Sequence, residues 1–158
     1  MNGTTAELKR KIMMKLANDK KIFELIDNKT IDPETPDDLI YTNIFPFNRI
    51  DYTVQEVGSY ICVGLDYPKI SHNEIFKNAS LTFIVVCNTG AMKVNGGYSR
   101  TDAIAERIIE LFDWTSDLGF RIELNYEDED AIDENFYYRR LVFSSFSPNG
   151  MKDGKKIN

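Results

Sequence analysis

The sequence predicts an α+β domain, with one mostly antiparallel sheet of about four strands and two helices packed on it. Three observations carry this. Apolar residues recur at helical spacing over residues 5–27 and again over 99–113. Residues 59–67, 119–126 and 136–146 alternate or read as strand segments bounded by turn formers. Between them, Leu81-Thr82-Phe83-Ile84-Val85-Val86-Cys87 is apolar at nearly every position, as a central strand covered on both faces must be.

The elements follow in chain order. In the first helix Leu8, Ile12 and Leu16 are spaced by four, and Ile22, Phe23 and Ile26 continue the stripe after a polar break at 18–21. Thr4 or Thr5 can cap its start, with Glu7 in the first turn. Lys9, Arg10, Lys20 and Lys21 then form a solvated face. Residues 28–38 connect, broken by Pro33 and Pro36. The stretch 39–50 is apolar and aromatic without periodicity, and Pro46 bars a central strand there. Such a loop must cover something, either its own domain or a neighbouring subunit.

A strand at 59–67 and a second at 77–88, joined by the short polar segment 68–76, predict an antiparallel hairpin. Asn95-Gly96-Gly97 marks a turn, and Ser99 with Asp102 resembles a capping box opening the helix at 99–113, with Ile104, Ile108, Leu111 and Phe112 on one face. In the third strand Phe120, Ile122, Leu124 and Tyr126 are expected to share a face. Residues 127–134 read as an acidic loop before the fourth strand at 136–146. The folded domain is expected over 1–147, followed by a flexible C-terminal tail at 148–158. Ile84, Val86, Ile108, Phe112 and Leu124 are the expected core.

The chemistry in this sequence is sparse. With ten Phe, eight Tyr and 42% hydrophobic residues in 158, a core is affordable, and a net charge of −6 argues against attraction of a nucleic-acid backbone by the overall field. No apolar run approaches the ~20 residues of a spanning helix, and no signal-peptide pattern is present. A soluble protein without membrane partners is expected. Cys62 and Cys87 sit in apolar strand context and read as reduced, buried thiols; with His72, the only histidine, they lack zinc-site spacing. Residues 90–100 match no phosphate-binding glycine pattern. The run Glu127-Asp128-Glu129-Asp130 lacks the spacing of a calcium loop. Arg139 and Arg140 are sent to opposite faces by strand alternation, so they cannot form one basic patch. No catalytic residue, cofactor or metal is expected.

The segment 59–112 resembles the tail-terminator and related head–tail connector proteins of long-tailed bacteriophages. The resemblance lies in strand 81–87, the loop Met92-Lys93-Val94-Asn95-Gly96-Gly97, and the helix start Ser99-Arg100-Thr101-Asp102 running into Ile104 and Ile108, with 43–47 and 59–62 upstream. It implies a subunit of a six-copy ring at the head–tail junction. The partners are then other copies of the chain, the tail-tube protein and head-side neck proteins, with DNA passing through the lumen without specific binding. The location is the virion, after assembly in the host cytoplasm.

Three segments that the domain itself explains poorly are the expected contact elements: 39–50, 90–98 and the tail after 148. The interface residues are Tyr41, Ile44, Phe45, Phe47, Met92, Val94, Tyr98, Arg100 and Met151. Two alternatives stand beside this. One is a metal-dependent nuclease or phosphatase using Asp113, Asp117 and the acidic residues; the other is a monomeric adaptor binding a peptide on a sheet edge.

Overall fold

Among the described residues, three α-helices lie over one five-stranded mixed sheet. The structure, a computed structural model, describes residues 4–48, 58–66 and 79–146. In chain order, α1 (Thr5–Ala17) and α2 (Lys20–Ile26) are followed by β1 (Ile44–Phe45), β2 (Ser59–Asp66) and β3 (Ser80–Asn88). Then come α3 (Arg100–Phe112), β4 (Arg121–Ala131) and β5 (Phe136–Phe146), with the strands ordered β1-β2-β3-β5-β4. Among the described strands, only the β1–β2 pair is parallel. The α+β expectation holds. The expected connection 68–76, His72, Met151 and the tail 148–158 lie outside the described residues.

The single helix expected over 5–27 is two helices. Thr4 and Glu7 form a reciprocal capping box, each side chain accepting the other's backbone N–H. α1 then stops because Asn18 turns its amide back onto the Met14 carbonyl (2.9 Å), and Asp19 starts α2 by accepting the Ile22 N–H (3.0 Å). The polar break visible at 18–21 is thus an end and a new cap. At α3 only half of the expected box forms: Ser99 Oγ accepts the Asp102 N–H, while Asp102 is turned toward Arg139.

Strand pleating assigns the layers. Ile61, Val63, Phe83, Val85, Leu141 and Phe143 point to the helices and pack with Leu8, Ile12, Leu16, Ile22, Ile104, Ile108 and Phe112 in one cluster. Phe83 is its centre, edge-on to Phe143 at 5.7 Å and tilted on Phe112 at 5.0 Å. The opposite face carries a smaller cluster of Cys62, Ile84, Val86 and Phe136. Four of the five expected core residues are buried, and Leu124 is only partly so.

Two expectations fail along β4. The pairing jumps between Leu124 and Tyr126, so a bulge at Asn125 flips the strand. Ile122 and Leu124 face the helices, but Tyr126 turns to the other face and is 49% exposed. The acidic stretch 127–131, expected as loop, continues β4, because β5 places Arg140 opposite Asp128 and Arg139 opposite Glu129. Arg140 stands opposite Asp128 and holds it with two hydrogen bonds (2.6 and 2.8 Å). On the other face Arg139 bonds Glu127 (2.6 Å) and Glu129 (3.0 Å).

Candidate functional site: an aromatic edge and a charged cleft

The apolar loop at 39–48 is built around a very short strand. Leu39 is buried at the end of a 3-10 turn (Pro36–Leu39), and Ile44–Phe45 pairs with Ile61 and Cys62. Buried Asn43 fixes the geometry: its carbonyl accepts the Ile61 N–H (2.7 Å), its amide donates to the Ser59 carbonyl (2.9 Å), and its side-chain oxygen accepts from Asn28 (2.7 Å). Ser59 Oγ in turn donates to the Ile26 carbonyl at the end of α2 (3.0 Å). Buried polar groups here are all partnered, which ties the loop to both sheet and helix.

This anchoring divides the predicted contact residues. Ile44 and Phe45 are 0% and 2% exposed, so in this chain they are core: Ile44 points to the helices, and Phe45, on the opposite face, is covered by Tyr41, Phe47 and Tyr60. Tyr41 and Phe47 are 62% and 46% exposed. Their rings lie 6.2 Å apart and each packs on Phe45, at 6.5 and 5.9 Å, with Tyr60 continuing the stack at 6.3 Å from Phe45. Tyr41 adopts a left-handed backbone (φ 69°), unusual for a bulky residue, and donates its N–H to the Ile44 carbonyl at 2.7 Å. Lys9 of α1 donates to the Pro46 carbonyl (2.8 Å), pinning the far side of the turn.

The glycine loop forms the wall of a cleft of about 590 Å³ between α2 and α3. Gly96 and Gly97 both have φ above 80°, which lets the chain reverse so that Val94 N–H meets the Tyr98 carbonyl (3.0 Å). At Gly96 an added Cβ would also stand 3.1 Å from the Tyr98 ring. Val94, Tyr98 and Arg100 line the cleft, and Tyr98 is 66% exposed. Met92 is half-buried beneath the loop, its carbonyl accepting the Arg100 N–H (2.6 Å) and its sulfur facing the Thr101 hydroxyl (3.7 Å).

Arg100 braces this wall rather than reaching outward. Its guanidinium donates to the Ala91 carbonyl (2.7 Å) and to the Leu25 carbonyl near the end of α2. A second brace, not foreseen from sequence, joins the same helices: Arg107 makes two bonds to Asp19 (2.6 and 2.9 Å) and one to Glu110 (3.1 Å). Burial alone would raise the Asp19 pKa, but hydrogen bonds from Arg107 and the Ile22 N–H hold it below the usual carboxylate value. Lys21, Lys93, Glu24 and Glu106 complete a lining of mixed sign. Such a lining offers ionic contacts to a protein surface and no dominant charge for a small ion.

Asp113 and Asp117, the acids of the enzyme alternative, each make a structural contact. Asp113 accepts the Leu124 N–H (2.7 Å), and Asp117 pairs with Lys15 (2.6 Å). Cys62 and Cys87 face opposite sides of the sheet, in the smaller cluster and toward the helices respectively. Burial pushes the Cys87 thiol up to about 11, away from thiolate chemistry. Among the described residues no three His, Cys, Asp or Glu side chains are grouped to hold a metal, and no helix is long and apolar enough to cross a membrane.

These features describe a small α+β protein whose surface chemistry is exposed aromatic rings and ion pairs on a braced scaffold. A family model described as YomW matches residues 19–145, spanning α2, α3 and all five strands except the last residue of β5. The chain belongs to the YomW family, whose phage-derived gene name points to a phage protein. No curated protein matches it. The matched span contains Tyr41, Phe47 and Tyr98 and leaves out α1.

Proposed function

We propose that this protein is a non-enzymatic phage assembly protein. In this reading it is a tail-terminator or neck subunit that joins other copies in the six-copy ring its resemblance implies, and contacts the tail-tube and head-side neck proteins in the virion. DNA would pass through the lumen without specific binding. The observation that carries this is the Tyr41–Phe47 pair. Two large rings are held outward on a turn that is hydrogen-bonded from three sides and rests on buried Ile44 and Phe45. A rigid aromatic anchor keeps little conformational freedom to lose on binding, which is what an interface hot spot requires. The cleft beside Tyr98 offers a second surface with ionic partners of both signs.

The test replaces Tyr41 and Phe47 together by Ser. Both side chains are exposed, so the melting temperature should stay within a few degrees of the parent, while assembly of the chain or its binding to tail-tube protein weakens by about tenfold or more. Unchanged assembly in a folded double variant would remove the aromatic edge from the account.

A further inference from the structure

The outer side of β4 is closed by the chain itself at both ends and open between them. At its start Trp114 donates its N–H to the Ile122 carbonyl (2.7 Å), and the Thr115 carbonyl accepts the Ile122 N–H (3.3 Å). The Asp113 carboxylate then accepts the Leu124 N–H (2.7 Å). At the far end Asp130 turns its carboxylate onto the Ala131 N–H (2.7 Å). Between these closures no strand pairs with the outer side of 126–130 among the described residues, and no backbone hydrogen bond reaches it. The bulge at Asn125 opens this stretch and turns Tyr126 out, with the Arg140 guanidinium 5.9 Å from its ring. The groups packed around it are mostly acidic. Residues 125–134 hold six Asp and Glu and no Lys or Arg. β5 supplies Arg139 and Arg140, which are spent on Glu127, Asp128 and Glu129. Asp130, Asp133 and Glu134 make no ion pair among the described residues. From α3 comes Asp102, 3.7 Å from Arg139, while Arg100 and Arg107 of that helix are turned to Leu25 and Asp19.

We infer that the outer edge of β4 over 126–130 takes an extended, lysine- or arginine-bearing segment of a partner protein as a sixth strand, with an apolar side chain of that segment packed on Tyr126. An unpaired edge presents N–H and C=O groups in the one spacing that another extended chain matches, so its fitting occupant is a strand. The acids then select among strands. A second copy adding its own β4 would set like charges against each other, and a nucleic-acid backbone carries the same sign as the edge. A basic segment instead gains ionic contacts with Asp130 and Glu134 beside the backbone ladder. The inference does not depend on the proposed ring.

The experiment titrates the full chain with three synthetic peptides of about nine residues, the length of an ordinary strand. One alternates lysine with valine. The second carries glutamate in place of each lysine. The third is the lysine peptide methylated on its backbone nitrogens, which keeps the charge and removes the ladder donors. By calorimetry the lysine peptide should bind at least about tenfold more tightly than either of the others, and more weakly as NaCl rises. Its binding should slow amide hydrogen exchange within 126–130. Asp130→Asn with Glu134→Gln retains an acceptor for the Ala131 N–H and should weaken binding by about threefold or more with the fold intact by circular dichroism. Equal binding of the lysine and glutamate peptides overturns the charge selection. Equal binding of the methylated peptide, or slowed exchange only outside 126–130, overturns strand addition. Binding of none of the three overturns the inference and leaves the acids as guards against strand pairing. Protection of 126–130 that grows with the concentration of the chain alone makes the occupant a second copy and likewise overturns it.

Discussion

The two edges of this sheet are closed by different physics. At β1 a strand of two residues suffices, because Ile44 and Phe45 are buried and Asn43 and Ser59 satisfy the backbone around them. At β4 an eleven-residue strand runs with its acids exposed, held to β5 by arginine–carboxylate pairs. Burial of apolar groups is insensitive to salt and pH, whereas partly exposed ion pairs are screened and titratable. The β1 edge is therefore suited to a permanent platform for the aromatic pair, and the β4 edge to a contact that responds to ionic conditions.

The strongest way to break the contrast is to cut the platform. Ile44→Ala should destabilise the fold by roughly 2–5 kcal/mol, since it opens a cavity against Ile61 and the helices. A chemical-denaturation midpoint unchanged within error would show that β1 is not anchored by burial. Asp19→Ala, at the α2 cap, should cost about 1–2 kcal/mol by removing the Ile22 cap and the Arg107 pair. Its pH dependence sharpens the point. The folded-state pKa of Asp19 lies below the ordinary 3.8, so its stabilisation is present above that value and is lost as pH falls through the lowered pKa. The difference between parent and variant should shrink in that acid window, and a difference constant down to strong acid would contradict the ionic part. Arg140→Ala should have the smallest effect, about 0.2–1 kcal/mol at low salt and less at high salt, because Arg140 and Asp128 are both partly exposed.

Much of the fold was legible in the sequence because it rests on periodicity. Leu8, Ile12 and Leu16, or Ile104 and Ile108, can face one core only as helices, and the unbroken run 81–87 can only be central. What was hidden is non-local. Two residues of β1 carry no period, and the acids of β4 disfavour strand until Arg139 and Arg140 stand opposite them. The bulge at Asn125, which exposes Tyr126, leaves no compositional trace. At the candidate site, Tyr98 and Arg100 were readable beside the glycine turn, but the split between buried Phe45 and exposed Phe47 depends on the pairing with β2. Asp19 and Arg107 lie 88 positions apart, and no local pattern links them.

The most direct test of the central claim is the native mass of the purified protein over a wide concentration range, alone and with tail-tube protein. One closed oligomer of defined copy number is expected, six by the resemblance of its sequence, either alone or once the tail-tube protein is added. A chain that stays monomeric at every concentration and does not bind tail-tube protein would contradict it.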